Sequence, residues 1–320
     1  MPRRARPPRN AGLKKQAKGR KDKIGLVLIA LVVLAVSLGG WFYLTRPQQP
    51  SKDAIGCFQD YPPPELVAIL IDRTDPVTPV QAELIKNELG QIKAKLPRHS
   101  ELRAYTVGSV AQDVLSEDFR ACHPGNPNDI NKWTEAQTRA DRRWKEFNEK
   151  FDSYLIGITP SSSESTSPLI ESIRSIGATT FSAARFNTEP RPRKRLIIVS
   201  DMLQNSSLFS HYRVWLNCKT ETQGAVEQCL ETNPKKGITC TMFGGQRVQT
   251  CERSVITNLD YGYWKNRIGT RLDAELRDVE VEILYVRRDG STQQGGKHAT
   301  FWQEYFLDNG ATVERIKSID

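Results

Sequence analysis

Apolar residues fall along the chain in one long block followed by a series of short ones. The long block, residues 24–44 (IGLVLIALVVLAVSLGGWFYL), runs for 21 positions without a charge. At ~1.5 Å per residue a helix of that length covers ~31 Å, close to the ~30 Å hydrocarbon core of a bilayer. It has no polar face, so it does not read as a helix half-buried on a soluble domain.

The short blocks begin after a connector at 45–64, where Pro47, Pro50, Pro62, Pro63 and Pro64 favour an extended spacer. Residues 66–71 (LVAILI) form the continuous apolar run of a strand covered on both faces. Thr78, Pro79 and Gln81 then supply an N-cap, a first-turn proline and a capping-box partner. Val80, Leu84, Ile85, Leu89, Ile92 and Leu96 recur at helical spacing and predict one buried face. Residues 102–107 predict a second strand. A polar helical stretch follows at 129–150, with Trp133, Trp144 and Phe147 as packing positions, and 154–158 predicts a third, parallel strand. After a Ser/Thr-rich loop at 159–167, a helix starts from Pro168 with Leu169, Ile170, Ile173 and Ile176 on one side. Residues 195–200 (RLIIVS) and 281–286 predict two more buried strands. A helix around 301–307 and a short strand at 312–316 complete the pattern.

Strands alternating with helices predict an α/β domain over 65–320, with a doubly wound, mostly parallel sheet of Rossmann-like layout. Residues 205–258 break the alternation and read as a disulfide-stabilised insertion, because four of the six cysteines recur there eleven residues apart.

Charge refines this picture. The chain's net charge is +9 over 320 residues, but residues 1–23 hold ten Lys or Arg against the single acid Asp22. The rest of the chain is balanced, which argues against a nucleic-acid-binding body. A basic flank before an apolar span places the tail in the cytoplasm and everything after Thr45 outside. Trp41, Phe42 and Tyr43 suit the headgroup layer at the outer end of the span. Contact of the basic tail with anionic lipid on the cytoplasmic side is a further reading that the sequence does not separate from a topology signal. The rival reading is a cleaved signal peptide, with Ala35, Val36 and Ser37 as cleavage site, although signal cores run only about 7–15 residues. The cysteines agree with an oxidising exterior: Cys57, Cys122, Cys218, Cys229, Cys240 and Cys251 all follow the anchor. Sequence does not choose among their pairings; links within the last four, and Cys57 with Cys122, are expected. No C-x-x-C pair supports zinc.

In a doubly wound sheet ligands sit at the carboxyl ends of strands. Three polar clusters fall there: Asp72 with Thr74 and Asp75, the Ser/Thr run 161–167, and Asp201. Oxygen ligands from three loops suit a hard cation such as Mg²⁺, with Mn²⁺ or Ca²⁺ as alternatives. Each carboxylate also has a plain structural use, as a helix cap or turn residue. The basic loop 191–195 (RPRKR) reads as a solvated connection into a strand.

The segments LVAILIDRTDP, ESTSPLIESI, RLIIVSDMLQNS and VEILYVRRDG…FWQEYFLDNGATV together resemble von Willebrand factor A (vWA) domains of membrane-anchored bacterial type. The resemblance covers about 65–318 apart from the insertion. It implies a metal-ion-dependent adhesion site in which Asp72 and Thr74 stand for the first Asp and Ser, Thr166 or its neighbours Ser165 and Ser167 for the Thr, and Asp201 for the last Asp. Pro76 stands where the family has a second Ser, so the implied site is incomplete.

Two functional classes follow. The resemblance implies a binding module, tethered to the membrane, that grips a periplasmic or membrane-associated protein partner, with a cation completed by the partner's carboxylate. The alternative is a metal-free scaffold or spacer. A less favoured alternative is an enzyme similar to haloacid-dehalogenase-like phosphatases, with Asp72 as nucleophile, but that chemistry implies a second Asp two residues on, where Thr74 stands. There is also no G-x-S-x-G elbow, P-loop or G-x-G-x-x-G.

Overall fold

The computed structural model describes residues 13–45 (backbone alone for 13–24), 51–58, 61–74, 76–107, 115–129, 131, 135–156, 166–187, 189–211, 259–288 and 294–320. Four short strands between 217 and 252 are described by backbone only. The chain divides into two units, Met1–Pro50 and Ser51–Asp320. In the first, helix α1 (Leu13–Leu44) contains Gly25–Leu44, long and apolar enough to cross a membrane, with its large side chains exposed. Its length and composition fit a span and a signal sequence alike.

In the second unit the apolar run of strand β1 (Glu65–Ile71) is buried at every position. Alternation sends Leu66, Ala68 and Leu70 into one core and Val67, Ile69 and Ile71 into the other, so the strand lies between two helical layers. Helix α2 (Pro79–Ala94) opens with the capping box anticipated from Thr78 and Gln81. It buries Ile85, Leu89 and Ile92, and Leu96 beyond its end is buried too. Val80 and Leu84, expected on that face, are instead 66% and 41% exposed. At ~100° per residue the 85-89-92-96 stripe is already wide enough to cover the sheet, and the two earlier positions lie off it.

Strands β2 (Glu101–Val107) and β3 (Leu115–Cys122) follow, then helix α3 (Gln137–Ile156). This helix takes in residues 154–156, expected to begin a strand, while 157 and 158 lie outside the described residues. Phe147, Phe151 and Leu155 form its buried stripe at spacing four, which extends the polar helical stretch beyond 150. Trp133 also lies outside the described residues. The third neighbour in the sheet is β3, which buries only its far end from Phe119 onward and therefore carries little hydrophobic signal.

Helix α4 (Leu169–Ile176), strand β4 (Arg193–Ser200), helix α5 (Tyr261–Ile268), strand β9 (Val279–Val286), helix α6 (Gly296–Asp308) and strand β10 (Thr312–Ile319) build the rest. Between β4 and α5, strand β5 (Asn217–Lys219) pairs antiparallel with β8 (Thr250–Glu252), and β6 (Gln228–Leu230) with β7 (Thr239–Thr241). Their registers set Cys218 opposite Cys251 and Cys229 opposite Cys240; the side chains of these four lie outside the described residues. Residues 205–211, placed by pattern at the start of the insertion, pack into the domain: Phe209, Ser210 and His211 are buried.

The six-stranded sheet has the order β10-β9-β4-β1-β2-β3, parallel throughout except for β3. Helices α2 and α3 pack on one face, and α4, α5 and α6 on the other, around Trp264, Phe301, Trp302, Tyr305 and Phe306. The disulfide Cys57–Cys122 ties the segment after Pro50 to the end of β3, beside the amino ends of the parallel strands.

Candidate functional site

From β1 the chain goes to β2 on one side, and it later places β4 on the other side of β1. The strand order reverses there, and the loops leaving the carboxyl ends of β1 and β4 diverge to opposite faces. Asp72 is the first residue beyond β1, and its N–H donates to the Val199 carbonyl of β4 (2.9 Å). The site is thus hung from two buried strands.

The Asp72 carboxylate gathers hydroxyls from three segments. Oδ1 accepts from the Thr74 N–H (3.0 Å) and Thr74 Oγ1 (2.6 Å). Oδ2 accepts from Ser167 Oγ (2.9 Å) and Ser200 Oγ (3.0 Å). Ser167 is held by a reciprocal backbone pair with Asn205 (2.7 and 2.8 Å). The start of α4 behind it is fixed from the same loop, because Gln204 Oε1 accepts from the Ile170 N–H (2.9 Å). Asp72 is half-buried, and among the described residues no ion pair with a basic side chain is formed. Its partners among the described residues are all neutral, so its negative charge is oriented by them without a paired cation.

Asp201 sits differently. It is buried; Oδ1 accepts from the Leu203 N–H (2.9 Å), and Oδ2 meets the Arg288 guanidinium. Arg288 is placed by Gln294, whose Oε1 accepts from the Arg288 N–H (2.8 Å) and whose amide donates to the Asp201 carbonyl (3.1 Å). The next residue, Met202, takes the left-handed conformation (φ 62°) that a bulky side chain rarely adopts. Its carbonyl accepts from Trp302 Nε1 and His298 Nε2, both at 2.9 Å. Because a carbonyl only accepts, His298 donates to it from Nε2 and accepts a hydrogen bond from the Tyr285 hydroxyl at Nδ1 (2.6 Å). Burial holds His298 down at about 4 and His211 well below its ordinary value, so both rings are neutral at pH 7. Burial, and then the Asp201 charge, push the Tyr285 phenol up.

The sequence-predicted positions therefore divide. Asp72 and Thr74 share one cluster, joined by Ser167, while Thr166 is half-buried with Ser167 making the contact to Asp72. Asp75 and Ser165 lie outside the described residues, and Pro76 is exposed. Asp201 is at the neighbouring strand end, bound to Arg288. Sequence reading passed over Ser200, although the residue before Asp201 at a strand end points to the opposite side of the strand from its neighbour. It also passed over Arg288 and Gln294, which lie more than 80 residues away from Asp201 in sequence.

The donor set at Asp72 fits a hard cation. A hydroxyl that gives its proton to a carboxylate keeps its lone pairs, and Thr74, Ser167 and Ser200 supply three such oxygens around one charge. The Asp201 carboxylate is occupied by a guanidinium and does not fit that role. A second grouping of metal-capable side chains, Cys57, Glu101 and Cys122, has its two sulfurs bonded to each other, and Glu101 pairs with Arg103, Arg120 and Arg185. No protein-family model matches the chain, and no curated protein matches it.

Proposed function

We propose that this protein is a membrane-anchored, vWA-like binding module, with the basic tail in the cytoplasm and the α/β domain in the extracytoplasmic space. It engages a membrane-associated or periplasmic protein partner at the carboxyl edge of the sheet. A divalent cation, Mg²⁺ or alternatively Mn²⁺ or Ca²⁺, is held by the hydroxyls of Thr74, Ser167 and Ser200 against Asp72 and takes a carboxylate from the partner. The observation that carries this reading is the convergence of three hydroxyls, from three separate segments, on one uncompensated carboxylate at the switch point.

The test is capture of partners by the full chain in mild detergent, for the wild type and Asp72→Ala, with Mg²⁺ and with EDTA. Loss of the same partner from the variant and from EDTA is expected; retention in all samples would overturn the cation mechanism.

Arg288 favours a second reading. A guanidinium on Asp201, with Pro76 where the family places a hydroxyl, describes a site whose cation has been replaced by protein charge, leaving a metal-free scaffold. That reading expects partner capture to be indifferent to EDTA.

A further inference from the structure

Strand β10 forms one edge of the six-stranded sheet, and no other strand pairs with its outer side among the described residues. Its two faces differ. Arg315 and Lys317 point toward α2, where both pair with Glu88. Ile316 and Ser318 point to the other face and line a cavity of about 300 Å³ with Ile283, Tyr285, Ala299 and Trp302. The floor is therefore apolar and aromatic. Its charged wall is Arg287, which is 58% exposed and, among the described residues, pairs with Asp320 at 3.8 Å, a separation at which an exposed pair is weak. The exposed Lys297 stands in the first turn of α6, whose Gly295 and Gly296 also line the cavity.

An open strand edge offers main-chain donors and acceptors that another extended chain satisfies, and an apolar cavity beside it receives that chain's alternate side chains. We infer that β10 and this cavity form a docking site for an extended segment of a protein partner. The segment adds to the sheet edge, places an apolar side chain in the cavity and sets an acidic residue against Arg287. A second copy of this chain is a poorer occupant, because β10 laid antiparallel on itself across Ile316 sets Arg315 against Lys317. The site does not depend on the Asp72 cluster.

Random dodecapeptides displayed on phage, panned on the full chain in nanodiscs with empty nanodiscs as control, test this. Enriched peptides are expected to carry an apolar residue with Asp or Glu within two positions. Filling the cavity with Ala299→Trp should weaken them at least ~10-fold, and Arg287→Glu at least ~5-fold, while Asp72→Asn leaves them unchanged. No enrichment over empty nanodiscs, or equal binding to the wild type and both variants, overturns the inference. Self-association lost in Ala299→Trp would instead identify a second copy as the occupant and overturn the partner assignment. If Ala299→Trp fails to fold, judged by its thermal transition, the exposed Arg287→Glu carries the test alone.

Discussion

The two ends of the sheet handle their carboxylates in opposite ways. At the amino ends of the strands, Glu101 is 1% exposed and pairs with three guanidiniums, those of Arg103, Arg120 and Arg185, beside the Cys57–Cys122 disulfide. Glu65 shares Arg195 with Glu282 at the same end. At the carboxyl ends, the Asp72 carboxylate accepts from three hydroxyls and an N–H among the described residues. Guanidiniums cancel a charge, whereas neutral donors orient it and leave its field in place. On the proposed reading, the amino end is a fastening and the carboxyl end a receptor. Asp201 stands between the two cases, at the carboxyl end but neutralised by Arg288.

Substitutions at the two ends are expected to separate stability from binding. The largest stability loss is expected from Glu101→Ala, which leaves three guanidiniums around an emptied buried site; about 3–5 kcal/mol in chemical denaturation is the expected scale. Replacing Cys57 by Ser should cost about 2–5 kcal/mol and leave cation binding intact. Asp72→Asn keeps the shape and most hydrogen bonds, so about 1–2 kcal/mol of stability is at stake while cation binding is lost. A variant in which Asp72→Asn destabilises more than Glu101→Ala would reverse the assignment of the two ends.

Acid bears on both ends together. His99 and His123 at the amino end, and His298 at the carboxyl end, are held down at about 4, each chiefly by burial. The unfolded chain takes up those protons near 6.5, so the stabilisation is complete above about pH 6.5 and is lost as the pH falls through about 4. The thermal transition should therefore drop between pH 6.5 and 4; a flat profile there would contradict the neutral, buried assignment. The smallest effect is expected from Arg288→Gln. Removing the Arg288 charge beside Asp201 leaves the strand ends more negative and should tighten Mn²⁺ binding several-fold, about 1 kcal/mol. Peptide mapping of the unreduced chain is expected to recover Cys57 with Cys122, and, from the facing ladder positions, Cys218 with Cys251 and Cys229 with Cys240.

What was legible in the sequence follows burial. Strand β1 and the strand around 195–200 announce themselves because both faces are covered, and Thr78 with Gln81 marks a helix start by chemistry local to four residues. Strand β3 carries no readable pattern because its exposed half holds Ser116, Glu117 and Asp118, and residues 154–156 read as a strand although Leu155 belongs to a helical stripe that starts at Phe147. In the candidate site, Asp72 and Thr74 stand out at a strand end, and the Ser/Thr loop points to Thr166 first, whereas its neighbour Ser167 makes the contact to Asp72. Ser200 was hidden within a buried strand, and Arg288 becomes a partner of Asp201 only when β9 is laid beside β4. No local pattern carries that second kind of information.

The central claim is that Asp72 is an oriented and uncompensated charge that receives a cation. The direct measurement is Mn²⁺ binding to the full chain in detergent by electron paramagnetic resonance, with Mg²⁺ as competitor, for the wild type and Asp72→Asn. One saturable site, displaced by Mg²⁺ and absent from the variant, is the result predicted. Equal Mn²⁺ signals from both proteins would contradict it and leave the Arg288-locked scaffold as the account of this domain.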